Sequence, residues 1–141
     1  MKIKNIELKS IEARRYIERN ERPQKVRIDH NSTFTRISQI KDDLAKIDFQ
    51  YSSSYGAVGV IKLEGTLIFE EKDVKRIADN WNESRKMEDE LASKMHTAVM
   101  HTCVPQAVGI AKDLGLPPPI PLPQVRLGKN PKKGSTGPEV A

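Results

Sequence analysis

Cysteine is almost missing from this sequence: Cys103 stands alone among 141 residues, so no disulfide can close within the chain. That usage agrees with a reducing compartment, and the lone thiol reads as a small buried hydrophobe. Aromatic side chains are scarce too, at 5%, against 30% charged residues, which implies a modest core under a wide wetted surface. No stretch approaches the ~18 consecutive apolar residues of a membrane span. The opening MKIKNIELKS lacks the apolar run and small-residue cleavage site of a secretory leader, so the expected location is cytoplasmic, with no membrane partner.

The signatures of catalysis are thin as well. No phosphate loop, dinucleotide fingerprint or nucleophile elbow occurs, and Gly56 and Gly59 in YGAVG read as a turn. His96, His101 and Cys103 lie close together, but on a helix His101 falls well to the side of the other two and no fourth ligand is evident. Nothing nearby would orient Cys103 as a nucleophile, and apolar neighbours would raise its pKa. The carboxylate groups Asp42/Asp43 and Glu88/Asp89/Glu90 sit in polar connecting stretches, whereas general acid–base work needs a dry cleft. The expectation is a protein that is not an enzyme and carries no cofactor or metal.

What is present is patterned. An apolar content of 37% in 141 residues fits one domain with one core. Ile3, Ile6, Leu8, Ile11, Ala13 and Ile17 favour an extended strand with an irregularity near Ile6 to Leu8, although SIEARRYIERNE also keeps a helical spacing behind Ser10. Past Pro23, Val26, Ile28, His30, Ser32 and Phe34 alternate with polar residues, as a half-buried strand does. SQIKDDLAK reads as a polar turn or a single helical turn, followed by a strand through Ile47, Phe49 and Tyr51. The clearest strand carries Ile61, Leu63, Gly65, Leu67 and Phe69 on one face.

At Asp73, a candidate N-cap, the period changes: Val74, Ile77, Ala78 and Trp81 follow helical spacing. After the polar stretch NESRKMEDE, apolar spacing resumes from Leu91 to Leu114, predicting a second helix of about six turns bent at Pro105 and ended by Gly115. The predicted fold class is α+β: a four-stranded antiparallel sheet followed by two helices on one face.

Most of the nine prolines fall after Leu114. In LPPPIPLPQV, residues 116–125, they alternate with Leu116, Ile120, Leu122 and Val125, which predicts a polyproline-like strip packed on its own domain. The order of four strands, a helix and a longer helix running through CVPQAVGIAKDLGLPPPIPLPQV (Cys103 to Val125) resembles the SecB-like fold of the bacterial export chaperone family. That resemblance covers roughly residues 1–125. It implies a four-stranded antiparallel sheet with helices on one face, self-association through strand edges or helices, and apolar grooves that hold unfolded polypeptide. The basic termini depart from that family, whose members are acidic.

The net charge of +5 is uneven. Residues 1–36 hold ten Lys/Arg against five Asp/Glu, residues 37–123 ten against thirteen, and residues 124–141 four against one. Clustered basic residues near both termini point to a polyanion. Two units follow: residues 1–125 as a SecB-like α+β domain, and residues 126–141 as a basic tail rich in Gly, Pro and Lys that cannot bury enough apolar surface to order itself. Arg126, Lys129, Lys132 and Lys133 of the tail, with Arg14, Arg15, Arg19, Arg22, Lys25 and Arg27, make a candidate interface for RNA phosphates. The leading expectation is therefore a ribosomal or ribosome-associated protein with rRNA and neighbouring ribosomal proteins as partners. The second is a SecB-like chaperone with unfolded polypeptide clients, and the third an adaptor whose proline strip is a ligand for another domain.

Overall fold

A computed structural model of the chain describes residues 1–18 and 26–120. It contains strands β1 (Lys2–Arg15), β2 (Asp29–Lys41), β3 (Leu44–Ser54) and β4 (Gly59–Glu70), then helices α1 (Val74–Ser84) and α2 (Asp89–Leu114). The strands form one sheet in the order β1-β4-β3-β2, and every neighbouring pair is antiparallel. Both helices lie on one face of it, α1 against β2 and β3 and α2 across all four strands. The α+β architecture expected from the sequence is the one observed.

The core follows from alternation on the two central strands. Ala45, Ile47, Phe49 and Tyr51 of β3 and Ile61, Leu63, Leu67 and Phe69 of β4 are almost wholly buried under the helices. Register sets Ile47 against Leu67, Tyr51 against Leu63 and Phe49 against Gly65. Full burial of each such aliphatic or aromatic side chain is worth about 1.5–3 kcal/mol before entropy is counted. Gly65 is required there: a Cβ would meet the backbone carbonyl of Glu7 and lie 2.8 Å from Cζ of Phe49. The other face of these strands is polar, with Lys62 and Glu64 exposed.

β1 is a strand through Arg15, so the helical spacing of SIEARR is not used. Its register shifts between Ile3 and Asn5 and between Leu8 and Ser10, on either side of the irregularity read from the sequence. The turn expected over SQIKDDLAK is corrected: β2 continues to Lys41 and the chain reverses at Asp42 and Asp43. A bulge between Phe34 and Arg36 breaks strict alternation there, carrying the buried position from Phe34 to Ile37.

α1 buries only Val74 and Ala78. Asp73 precedes it as expected, but with a left-handed backbone (φ 59°) and no side-chain capping bond; it is the carbonyl of Asp73 that accepts the Ile77 amide, at 3.1 Å. α2 buries Met95, Val99, Cys103, Ala107 and Ala111, one per turn, and carries Pro105 on its exposed side. Gly115 (φ 71°) ends it. The Gly115 amide bonds the Lys112 carbonyl at 3.2 Å and the Leu116 amide bonds that of Ala111 at 2.8 Å, satisfying carbonyls the last turn would orphan.

Candidate functional site

Two hollows adjoin along the N-terminal half of α2. The larger, of about 620 Å³, lies beneath the α1–α2 connection with Met1, Ile77, Met87 and Leu91 as its apolar lining. The second, of about 410 Å³, lies between the start of β1 and α2, lined by Ile3, Ala98, Thr97 and His101. Met1 and Lys94 line both, so the two hollows are neighbours along α2. The spacing of Leu91, Lys94, Ala98 and His101 places them on one flank of α2. Charges of both signs rim the larger hollow, among them Lys72, Arg76, Lys86, Glu88 and Glu90. Met1 and Met87 are unbranched and polarizable, the side chains best able to reshape around unlike apolar groups.

At the opposite end of α2 the chain crosses the sheet as a strap. The Arg15 guanidinium donates to the Leu114 carbonyl at 2.7 Å, Leu116 packs on Gly59, and the Tyr55 hydroxyl donates to the Pro117 carbonyl at 2.7 Å. His30 Nε2 meets the carbonyl of Pro119. A carbonyl only accepts, so Nε2 carries the proton, and on the neutral ring Nδ1 accepts from the Tyr51 hydroxyl at 2.9 Å. The strap thus touches β1, β4, the turn after β3, and β2 in succession. Of the proline segment, Leu116 and Pro119 are buried on the domain as expected, whereas Ile120, expected to pack there too, is exposed. Leu122 and Val125, and the domain boundary expected after Val125, lie outside the described residues.

Burial governs the titratable groups beneath α2. It pushes the Tyr51 phenol up to about 12 and the Cys103 thiol up to about 11, and it raises Tyr55. The thiol therefore stays protonated and supplies no thiolate. Burial lowers the pKa of His96, whose Nδ1 lies 2.8 Å from the Ser32 hydroxyl and whose ring stacks on Phe34 at 4.1 Å. Trp81 meets the same Phe34 edge-on, and the Arg85 guanidinium lies over Trp81 at 5.6 Å, giving a column that fastens α1 and α2 to β2. Among the described residues, no group of three or more His, Cys, Asp or Glu is placed to hold a metal ion. No helix among them is long and apolar enough to cross a membrane.

The basic residues singled out from the sequence do not gather in the described structure. Arg14 and Arg15 are adjacent on β1 and point to opposite faces of the sheet, and Arg15 is occupied by the carbonyls of Leu114 and Ile17. Arg27 pairs with Asp29 at 3.0 Å in an exposed bridge. Arg19, Arg22, Lys25, Arg126, Lys129, Lys132 and Lys133 lie outside the described residues. The resemblance implied apolar grooves but not their residues, because the lining comes from separate parts of the chain and no spacing connects Met1 to Leu91.

Compared with solved structures, the chain is similar to a SecB-like chaperone of Mycobacterium tuberculosis, solved in complex with a ChAD peptide from an antitoxin. The likeness covers 91% of each chain at a TM-score of 0.52 and 15% identity. This chain has a SecB-like fold. No family model matches it, and no curated protein matches its sequence. The likeness overturns the expectation of a ribosomal or ribosome-associated, rRNA-binding protein. That expectation weighed net charge at the termini, which attracts any polyanion and specifies none, above element order, which led to the fold. The second expectation, a chaperone, is the one the likeness favours.

Proposed function

We propose that this protein is a chaperone that binds extended, unfolded polypeptide segments in the groove along α2. The observation that carries the reading is the neighbouring pair of hollows, lined by Met1, Ile3, Met87, Leu91 and Ala98 and rimmed by charge, on a SecB-like fold. The apolar side chains among the charged lining remove client side chains from water, and flexible methionines accept many shapes, so such a surface selects exposed hydrophobicity rather than one sequence. The peptide held by the mycobacterial SecB-like chaperone supports the same class of ligand.

The test combines aggregation of an unfolded client with anisotropy of a labelled apolar peptide. The unsubstituted chain is expected to suppress aggregation and bind the peptide. Ala98→Glu, which puts a charge in the lining at a half-buried position, is expected to weaken peptide binding at least tenfold while circular dichroism is unchanged. Full peptide binding by a folded Ala98→Glu protein would show that the groove is not the site.

A further inference from the structure

We propose that Asn82 and Arg85 guard the outer edge of β2 against pairing with a second copy of this chain. β2 is an edge strand, and an edge presents unpaired amides and carbonyls on which another strand can build. At Ile37 both groups are already taken. The Asn82 carboxamide accepts from the Ile37 amide at 3.3 Å and donates to the Ile37 carbonyl at 2.8 Å. An antiparallel residue directs its amide and carbonyl to the same side, so both groups of Ile37 point away from β3, and Asn82 stands where a fifth strand's peptide group would stand. The Arg85 guanidinium donates to the Thr35 carbonyl, two residues earlier, at 3.1 Å.

The backbone geometry of α1 places these two side chains. The helix runs along β2, and Arg85 is its C-cap in the left-handed region (φ 59°), its amide on the Trp81 carbonyl at 2.8 Å and its guanidinium over the Trp81 ring. A non-glycine residue in that region is uncommon and persists where surrounding contacts hold it. Ile40, three residues further along the same strand, is 48% exposed, so uncovering the backbone at Ile37 would leave free groups near an exposed apolar side chain. The two bulges in β2, at Phe34/Arg36 and Gln39/Lys41, act in the same sense by interrupting a regular ladder. This inference does not depend on client binding.

Sedimentation velocity across a concentration series tests it. Asn82→Ala combined with Arg85→Ala is expected to shift mass toward species at least twice that of the unsubstituted chain as concentration rises. Ile40→Lys added to that pair places a charge on the edge, which opposes strand addition, and is expected to return the mass to its original value. The edge of β1 is the same in every variant, so the difference isolates β2. Unchanged mass in the double variant, or association that survives Ile40→Lys, would overturn the proposal. Should the alanine pair lose its fold, Asn82→Ala alone decides: it frees both backbone groups of Ile37 while Arg85 stays in place. It is expected to associate, and an unaltered mass would equally overturn the guard.

Discussion

Tyr55 and Pro117, sixty-two positions apart, are joined by a hydrogen bond of 2.7 Å from the phenol to the proline carbonyl. Tyr55 is buried, so its hydroxyl has no easy alternative partner in water. Tyr55→Phe removes the donor and leaves that carbonyl unpaired at the end of the sheet. The expected loss is about 1–2 kcal/mol, read as a lower urea midpoint with an unchanged slope.

Gly65→Ala is expected to cost about 3 kcal/mol or more. Its Cβ would collide with the Glu7 carbonyl, which belongs to β1, and with the ring of Phe49, so β1 must separate from β4 or the core must yield. Thermal unfolding by circular dichroism measures the loss, and a melting temperature equal to that of the parent would show that the sheet has room there.

His96 sets a dependence on acidity. Burial lowers its pKa below the ordinary value of 6.5, so in the window between the two values the unfolded chain binds a proton that the folded chain excludes. Stability from this group is therefore complete above about 6.5 and is lost as pH falls through that window. Denaturation at pH 7.5 and at pH 5.5 is expected to show a larger drop for the parent than for His96→Gln, which cannot titrate.

Cys103 is expected to resist alkylation. With its thiol pushed up to about 11 and its side chain fully buried, iodoacetamide at pH 8 should label it only after urea unfolds the protein. Rapid labelling of the native chain would place the sulfur at the surface.

The sequence carried the central sheet and the long helix plainly, because there the buried face repeats without interruption: Ile61, Leu63, Leu67 and Phe69 every second residue, and Met95, Val99, Cys103, Ala107 and Ala111 every fourth. It obscured β2 beyond Phe34, since a bulge changes which residues face inward and the polar run from Ser38 to Asp43 then resembles a turn. Grooves followed from the resemblance, but their lining residues were not legible, for these come together only when β1, α1 and α2 meet. Charge misled in the opposite way. Arg14 and Arg15 are neighbours in the chain, yet the strand sets them on opposite faces, as strand geometry implies, and Arg27 pairs with Asp29 in an exposed bridge.

The sheet order has a consequence for biosynthesis. Among the described strands β1 pairs with β4 alone, and the register that unites Lys2 with Glu70 cannot form until the sixty-eight residues after Lys2 have been translated. Through that interval β1 has no native partner for its backbone, whereas β2 and β3 can already pair, so local hairpins are available before β1 is recruited.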